Sequence, residues 1–358
     1  MYGDEEDLYQ GESAFRKKCK YARDFYEEVF SKREPDEYQK ELQIQRRELE
    51  KAKVQFRDER NAWQKLNYIE GRVDDKLNKL EEEIMTQGKI DYKVHGGLSV
   101  TSDNDLLVIL SDLHIGQCFS STFGNYNSDI ARDRIEQYLN EVISIGKLHN
   151  SENCYVSLQG DLISNSIHKA LAITNRENVI QQIKLASEMV SAFLYELSKH
   201  FSNIYMSSVV GNHSRIDRKE DALHDERLDS LIDWYTKAKL NHIDNVHIIE
   251  EKIDNSISVM NIRGKSYIGV HGDYDAFSKA GVSNLVMMLG MFPYAVTYGH
   301  LHTCAVDETS GIKMVRGGSL SGSGCDYTVE KRLSGKPSQM VCVCTNKGIK
   351  AYYTVELE

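Results

Sequence analysis

Short runs of apolar and β-branched residues recur along the last two thirds of the chain. They predict five strands: LLVIL (106–110), CYVSL (154–158), IYMSSVV (204–210), SYIGV (266–270) and YAVTY (294–298). Helical patterns lie between several of these runs, notably over residues 129–148, 178–200 and 222–239. Strands that alternate with helices are typical of an α/β layered domain.

Residues 12 to about 87 have a different pattern, rich in Glu, Lys, Arg and Gln, which favours helix. Pro35 is expected to separate two helices. Two apolar series at heptad spacing form the a/d stripe of a coiled coil that Glu59, Glu70 and Gly71 interrupt. The stripe consists of Leu42, Leu49, Ala52, Phe56, Trp63, Leu66, Val73, Leu77, Leu80 and Ile84. Three interpretations stay open: a helix on the globular domain, a self-associating coiled coil, or a partner-binding arm.

The turn-rich stretch HGGLSVTSDN (95–104) separates the two patterns. We therefore expect a helical, partly coiled-coil arm over 1–95, a linker over 96–104 and a globular domain over 105–358. If the chain forms a homo-oligomer, the arm is the segment expected to hold it together.

Composition and charge restrict the classes of function. The formal net charge is −10, so a nucleic-acid substrate would need a local basic patch or bound metal ions. The seven scattered cysteines, an odd number, fit poorly with a fully paired set of disulfides. The acidic start MYGDEEDLYQ lacks the apolar core of a signal peptide, and no apolar stretch approaches the roughly 20 residues of a membrane span. We expect a reducing, cytoplasmic location and no membrane contact.

A polar motif accompanies the end of each predicted strand: SDLHIG (111–116), QGDLIS (159–164), VVGNHSR (209–215), GVHGD (269–273) and YGHLHT (298–303). Open α/β sheets build their sites at such strand ends. The motifs supply eight candidate site residues: Asp112, His114, Asp161, Asn212, His213, His271, His300 and His302.

These residue types point to metal chemistry. Carboxylates and imidazoles with one amide suit Mn²⁺, Fe or Zn²⁺ and argue against a structural cysteine-type zinc site. Asp112 and His114 are two positions apart, so both would face one ion from an extended segment. The same holds for His300 and His302, although a turn there would aim them at two ions. Eight residues are too many for one ion and enough for two, which can share a carboxylate and clamp the oxygens of an in-line displacement.

The order of the motifs resembles the calcineurin-like metallophosphoesterase superfamily, whose pattern is D-x-H, GD, GNH, H and GHxH, over about residues 105–320. The resemblance implies a four-layer α/β/β/α sandwich with two central sheets. It also divides the candidate ligands between two ions with one bridging carboxylate: Asp112, His114 and His302; Asn212, His271 and His300; and Asp161 as the bridge.

The resemblance gives His213 a different role, since it matches the family's histidine that contacts the phosphate and can protonate the leaving oxygen. The chain has Ser164 and Ser214 where the family frequently has acids, and neither position is a metal ligand in the family. Ser214 can orient His213 but cannot stabilise an imidazolium by charge. Gly211 is expected to permit a tight turn before Asn212.

Two features bear on the substrate. The glycine in SDLHIG is most similar to the DNA-repair exonuclease branch, and the segment 317–339 resembles metallophosphoesterases of tailed phages and prophages. The leading hypothesis is a phosphodiesterase that uses two divalent ions, with Mn²⁺ expected, and acts on nucleic acid as a DNA exo- or endonuclease. A phosphomonoesterase or small-nucleotide phosphodiesterase is the alternative, which the acidic net charge favours. A coiled-coil scaffold with a vestigial site is the third, against which the complete ligand set argues.

Some residues are candidate substrate contacts. Arg215 is close enough to the GNH motif to contact phosphate, and it is equally compatible with a surface role. The segment 317–339 contains Tyr327, Lys331 and Arg332, which would touch a nucleic-acid backbone unless the segment is an ordinary surface loop. Two further histidines are open to the same two interpretations: His168 and His224.

Overall fold

The structure is a computed structural model, and it describes residues 12–30, 39–61, 102–167, 169–217, 219, 221–250 and 252–358. The chain divides into two units, Met1–Gln87 and Gly88–Glu358. Several sequence predictions lie outside the described residues: Pro35, Glu70, Gly71, His168, most of the 96–104 linker, and the heptad positions Trp63, Leu66, Val73, Leu77, Leu80 and Ile84.

The described part of the first unit is helical. Helix α1 spans Glu12–Phe25, a π-helical turn follows over Tyr26–Phe30, and helix α2 covers residues 39–61. Along α2, three side chains at heptad spacing are exposed: 38% for Leu42, 56% for Leu49 and 69% for Phe56. The predicted helix is therefore present over these residues, and its pairing into a coiled coil stays a prediction.

The second unit contains the strands and the remaining helices. Its strands are β1 (Asn104–Leu110), β2 (Phe119–Ser121), β3 (Gly124–Tyr126), β4 (Asn153–Leu158), β5 (Asn203–Ser208), β6 (Val246–Ile248), β7 (Lys252–Asp254), β8 (Ile257–Ile262), β9 (Lys265–Val270), β10 (Ala295–Tyr298), β11 (Ala305–Thr309), β12 (Ile312–Arg316), β13 (Ser338–Thr345) and β14 (Gly348–Glu356). Its helices are α3 (Ser128–His149), α4 (Lys169–Thr174), α5 (Val179–Ser198), α6 (Asp229–Leu240), α7 (Lys279–Leu289) and α8 (Asp326–Glu330). A 3₁₀ turn covers Asn212–Ser214.

Two six-stranded sheets organise this unit, with the orders β14-β13-β1-β4-β5-β6 and β11-β12-β10-β9-β8-β7. Strands β1, β4, β5 and β6 are parallel, and α3, α5 and α6 make the crossovers between them. Strand β10 is parallel to both β9 and β12 in the second sheet. Because parallel strands end at the same edge of a sheet, the loops that follow them gather at that edge. The fold is mixed α/β, as the alternation of patterns predicted.

Apolar cores lie on both faces of the central strands. Leu106, Val108 and Leu110 of β1 belong to a core shared with α3 and α5. The intervening Leu107 and Ile109 belong to a second core that contains residues of both sheets. A third core joins the second sheet to α7. Burial on both faces explains why LLVIL is an unbroken apolar run rather than an alternating one.

All five predicted strands are present, but two predicted elements have different limits. Strand β5 ends at Ser208: the bond from Val209 N to Leu158 O is the last one to β4, and Val210 N then donates to Asn255 O instead. Helix α6 begins at Asp229, so the predicted helix over 222–239 was wrong in its first seven residues.

Tertiary pairing explains the late start of α6. Arg227 forms a bridge with Arg215, and Leu228 N donates to Ser214 O at 2.7 Å. These bonds hold Arg227 and Leu228 alongside the GNH motif, so the helix begins only after them. Within the described part of the chain, none of the helices combines the length and apolar character that crossing a membrane requires.

Candidate metal centre

The ends of the parallel strands bring the candidate ligands together. In the described residues, three groups of side chains have ligand atoms within 4.8 Å of one another: Asp112, His114 and His302; His114, Asp161 and His213; and Asp161, His271 and His300. Asn212 adjoins the third group, since its Oδ1 lies 3.1 Å from His271 Nε2. Because His114 and Asp161 each belong to two groups, all eight candidates form one continuous cluster.

The first group contains a buried carboxylate oxygen that accepts no hydrogen bond in the described structure. Asp112 Oδ1 has no hydrogen-bond partner in the described structure, and it lies 3.4 Å from His302 Nε2 and 3.7 Å from His114 Nε2. The two Nε2 atoms are themselves 3.0 Å apart. A buried acceptor left without a partner costs about 1–3 kcal/mol, more for a charged group. A divalent cation among these three atoms would satisfy all of them, so the donor set fits a metal ion.

In the third group, a hydrogen bond to the main chain orients the ring of His271. His271 Nδ1 donates to Gln159 O at 2.6 Å, which directs Nε2 towards Asn212 Oδ1 at 3.1 Å and Asp161 Oδ2 at 3.2 Å. A backbone acceptor on one ring nitrogen is the usual device for presenting the other nitrogen to a metal. This second set of nitrogen and oxygen donors therefore also fits a divalent ion.

Asp161 lies between the two sides of the cluster. Its Oδ1 accepts from His213 N at 2.7 Å, and its Oδ2 faces His271 Nε2. The side chain is buried, and it shares one group with His114 and another with His271 and His300. This is the position that a bridging carboxylate requires.

Five of the candidate residues have a left-handed backbone. Their φ angles are 52° for Asp112, 47° for His114, 51° for Asp161, 67° for His300 and 59° for His302. Such a conformation costs a non-glycine residue on the order of 1–3 kcal/mol and concentrates at functional sites. The expectation that Asp112 and His114 project from an extended segment was therefore wrong, because successive turns aim them at each other instead. At His300 and His302 the turn sends the side chains to different groups.

The charges of the cluster favour a cation. Burial would lower the pKa of His271, but the charge and hydrogen bond of Asp161 outweigh it and raise the pKa to about 10. Burial would raise the pKa of Asp161, but its electrostatic interactions with His271 and His213 hold that pKa well below its usual range. Burial, with the nearby His213 and His302, lowers the pKa of His114 to about 3. At neutral pH the cluster therefore contains ionised carboxylates, a neutral His114 and a protonated His271, whose proton an incoming ion must displace.

His213 lies at the accessible edge of the cluster. Its Nδ1 donates to Ser164 O at 2.9 Å, and its Nε2 is 3.9 Å from Asp161 Oδ2. The side chain is 18% exposed, whereas Asp161 is 1% exposed. The hydroxyl of Ser214 donates to Gly211 O rather than to this ring. The main-chain carbonyl of Ser164 thus orients His213, where the sequence pointed to Ser214.

Gly211 is needed for close approach and not for a turn conformation. The expected tight turn is present, as a 3₁₀ turn over Asn212–Ser214, but Gly211 has a φ of −97°, which any residue adopts. A Cβ on Gly211 would instead overlap Asp161 Oδ1. Its N–H donates to Asp229 Oδ2 at 3.0 Å, and Asp229 is 3% exposed. Sequence reasoning missed Asp229 because it lies 18 positions from Gly211 and belongs to no motif.

The candidate substrate contacts differ in their relation to this cluster. Arg215 is 9% exposed, and its Nε donates to Asn212 O at 2.7 Å, so it supports the GNH loop directly. Lys331 and Arg332 are exposed residues just after α8. His224 is outside the three groups, and its Nε2 is 3.7 Å from Asp254 Oδ2.

The segment 317–339 adjoins the cluster. Leu320 N donates to Asp112 O at 3.1 Å, and a Cβ on Gly335 would lie 3.4 Å from His302 O. Tyr327, in the same segment, is 62% exposed. The segment therefore flanks the Asp112 and His302 side of the cluster and presents an aromatic and two basic side chains to solvent.

Comparisons with known proteins give distant similarities. No family model matches the chain. The SPbeta prophage-derived uncharacterized protein YonJ of Bacillus subtilis is 24% identical over 331 residues, which cover 88% of this chain and 80% of that protein.

Two solved structures illustrate the structural similarities. A novel archaeal phosphodiesterase is 15% identical, with 70% of this chain and 99% of that chain covered and a TM-score of 0.36. Vacuolar protein sorting 29 from Cryptosporidium parvum is 14% identical, with 72% and 93% covered and a TM-score of 0.35. Because both TM-scores are below 0.5, neither structure establishes the fold or the activity of this chain.

Proposed function

We propose that the second unit is a calcineurin-like metallophosphoesterase domain, a four-layer α/β/β/α sandwich that hydrolyses phosphodiester bonds with two divalent ions. The observation that carries the proposal is the convergence of three ligand atoms, Asp112 Oδ1, His114 Nε2 and His302 Nε2, beside a second set of donors. Of the three, Asp112 Oδ1 is buried and has no hydrogen-bond partner in the described structure. The order of the five motifs along the chain supports the family assignment.

In this proposal one ion is held by Asp112, His114 and His302, the other by Asn212, His271 and His300, and Asp161 serves both. The ligands are oxygen and imidazole nitrogen without cysteine, so we propose Mn²⁺, with Fe and Zn²⁺ as alternatives. When bound, two such ions supply a water nucleophile of lowered pKa and neutralise charge on the phosphoryl oxygens.

The protein's own contribution to the reaction centres on His213. The Ser164 carbonyl fixes the ring through Nδ1, so Nε2 is held at the edge of the cluster. From there His213 can donate a hydrogen bond to a phosphoryl oxygen and a proton to the leaving oxygen. The buried ligand shell behind it keeps bulk water away from the far side of the site.

We further propose that the substrate is nucleic acid, with DNA favoured, and that the enzyme is an exo- or endonuclease. The segment 317–339 supports this, because it contacts the cluster through Leu320 and Gly335 and has exposed Tyr327, Lys331 and Arg332 side chains, which can stack on bases and bind phosphates. Similarity to a prophage protein over 88% of the chain supports a phage or prophage origin. The proposal includes a cytoplasmic location and a homo-oligomer held by the arm over residues 1–95.

The test is an assay of the purified full-length protein with Mn²⁺ on four substrates: linear duplex DNA, single-stranded DNA, bis-p-nitrophenyl phosphate and p-nitrophenyl phosphate. We expect cleavage of DNA and of the diester, and its loss in Asp161→Ala, which removes the shared carboxylate. Cleavage of the monoester alone would refute the phosphodiesterase. Absence of metal-dependent turnover on every substrate would favour the scaffold.

A phosphomonoesterase or small-nucleotide phosphodiesterase is the second candidate. The formal net charge of −10 favours it, since a polyanion is repelled at long range by an acidic protein. The same assay separates the two, because this candidate requires turnover of the small substrates without cleavage of either DNA.

A further inference from the structure

Asp229, in the first turn of α6, is a buried acid that belongs to none of the five motifs. Its side chain is 3% exposed, and in the described residues Oδ2 accepts from Gly211 N at 3.0 Å while Oδ1 has no hydrogen-bond partner. Burial raises the pKa of Asp229 to about 7, against the effect of the Gly211 bond. Burying this carboxyl group therefore costs free energy. In the described residues, the hydrogen bond of its side chain is to the GNH loop.

Gly211 is fixed from both sides of its backbone. Asp229 accepts its N–H, and the Ser214 hydroxyl donates to its carbonyl at 2.7 Å. The residue lies against Asp161 so tightly that it has no room for a Cβ. Any shift of Gly211 would therefore be transmitted to the Asp161 carboxylate.

The two residues after Gly211 contact the cluster directly, so their placement depends on that of Gly211. Asn212 Oδ1 lies 3.1 Å from His271 Nε2, and His213 N donates to Asp161 Oδ1 at 2.7 Å. The 3₁₀ turn that contains both residues begins directly after Gly211. The Gly211 N–H bond to Asp229 thus ties the start of this turn to α6, while the bond from Leu228 N to Ser214 O ties its end.

The other side of the cluster depends on different contacts. Asp112 N donates to Gly160 O at 3.1 Å, and Asp112 Oδ2 accepts from His300 N at 2.9 Å. Leu320 N donates to Asp112 O at 3.1 Å. Since α6 takes no part in these bonds, a change at Asp229 should leave the group of Asp112, His114 and His302 in place.

We propose that Asp229 is the positioning residue of the second metal site, where it holds Gly211 so that Asn212 and Asp161 reach one ion with His271. The inference rests on the two-metal site proposed above. Asp229 acts through the Gly211 amide and does not itself contact the ion. Its carboxylate oxygen is needed as an acceptor at that point, so an amide oxygen of the same reach should replace it.

The experiment counts Mn²⁺ bound to the full-length protein, by equilibrium dialysis and by electron paramagnetic resonance, which reports spin coupling between paired ions. We expect two coupled ions in the wild type. Asp229→Ala should weaken binding of the ion at Asn212, His271 and His300 at least about tenfold, with the coupling lost. Binding of the ion at Asp112, His114 and His302 should be weakened by no more than about threefold, because it shares only Asp161 with the other site. Asp229→Asn should keep both ions within about threefold, because its Oδ1 can accept from Gly211 N.

Asp233→Asn is the matched control, since Asp233 lies one turn further along α6 and binds Lys252 Nζ at 2.9 Å instead of the loop. It should keep two coupled ions. If Asp229→Ala is unfolded by circular dichroism, Asp229→Ser takes its place with the same expectation, because the serine hydroxyl is too short to reach Gly211. Rescue by asparagine and the selective loss of one ion are readouts that a general loss of stability would not give.

The outcomes separate this inference from the proposed function. Two coupled ions at wild-type affinity in the truncated variant that folds would overturn the inference and leave the phosphoesterase intact, as would equal weakening of both ions in that variant. A wild type that binds two ions without phosphodiester turnover would overturn the function while the Asp229 variants still decide the inference. A wild type that binds no Mn²⁺ overturns both.

Discussion

At the scale of the residue, the cluster brings together imidazole nitrogens and carboxylate oxygens, and at least one of these acceptors has no hydrogen-bond donor. His114 Nε2 and His302 Nε2 are 3.0 Å apart, and Asp112 Oδ1 between them has no hydrogen-bond partner in the described structure. Such an arrangement is unfavourable by itself and becomes favourable when a cation is added. The residue-scale predictions therefore concern which side chains bind the ions and which act on the substrate.

The first prediction concerns His213, which lies within reach of both His114 and Asp161 and is thus also a geometrically possible ligand. We expect His213→Ala to keep two Mn²⁺ ions and to lose diester turnover by a factor on the order of 100 or more, the usual value of positioned proton transfer. His224→Ala, outside the three groups, is the control and should leave turnover unchanged. Loss of one ion from His213→Ala would make this histidine a ligand instead.

The second prediction concerns proton release. The pKa of His271 is about 10 without metal, because Asp161 outweighs the effect of burial, so the ring is protonated at pH 7.5. An ion at Nε2 must displace that proton, and affinity should rise with pH up to about 10. His302, whose pKa Asp112 raises in spite of burial, adds to the release, whereas His114 adds nothing because its pKa is about 3.

Titration calorimetry in two buffers of different ionisation enthalpy measures this release at pH 7.5. We expect the apparent enthalpies of Mn²⁺ binding to differ by an amount that corresponds to one or more protons. Identical enthalpies in both buffers would show that His271 is already neutral before the ion binds.

At the scale of the element, parallel strand ends and short loops place the site. Strands β1, β4 and β5 end a few residues before Asp112, Asp161 and the GNH turn, and β9 and β10 end one and two residues before His271 and His300. The segment that contains α8 then flanks the cluster through Leu320 and Gly335. The strands thus carry the chemistry, and the α8 segment is the element best placed to recognise substrate.

A third prediction follows for the α8 segment. Lys331→Ala/Arg332→Ala should weaken binding of single-stranded DNA and reduce the slope of log affinity against log salt by about 1.4, roughly 0.7 for each lost phosphate contact. Turnover of bis-p-nitrophenyl phosphate should not change, because that substrate has no second phosphate. Binding is measured by fluorescence anisotropy of a labelled oligonucleotide.

Lys347→Ala/Lys350→Ala is the control with the same change of charge. Both lysines belong to the β13–β14 hairpin, whose turn lies beside Asn104 at the start of β1, the end opposite the cluster. Equal weakening in the two double variants would mean that the α8 segment contributes only general charge.

At the scale of the whole molecule, the two units differ in how their apolar side chains are buried. The second unit has three apolar cores. The described helix α2 of the first unit exposes its heptad side chains, among them Leu49 and Phe56. A helix whose apolar stripe is exposed gains most from pairing with a similar stripe, which is the physical basis for the proposed homo-oligomer.

The fourth prediction is that removal of residues 1–95 converts the oligomer to a monomer and keeps Mn²⁺ binding and diester turnover. Strand β1 begins at Asn104, so the deletion leaves the described sheets complete. Light scattering gives the mass of both forms in solution. An unchanged oligomeric state would eliminate the coiled coil as the contact between copies.

The sequence by itself determined the elements with strong local patterns and the residue types of the site. Apolar runs such as LLVIL and CYVSL became β1 and β4, and the helices over 129–148 and 178–200 were correct within two residues. Side-chain periodicity is a property of neighbouring positions, so it can be recognised in one sequence. The eight candidate residues were found in the same way, as polar residues at strand ends.

Only the tertiary structure decided how those residues combine. His114 and His302 are 188 positions apart, and no local pattern fixes the 3.0 Å between their Nε2 atoms. The left-handed backbone at five candidates, the late start of α6 and the bond from Gly211 N to Asp229 depend on which segments the folded chain places side by side. Local patterns specify what each segment is, whereas contacts between distant segments specify which atoms meet, because burial and hydrogen bonding act on the assembled chain.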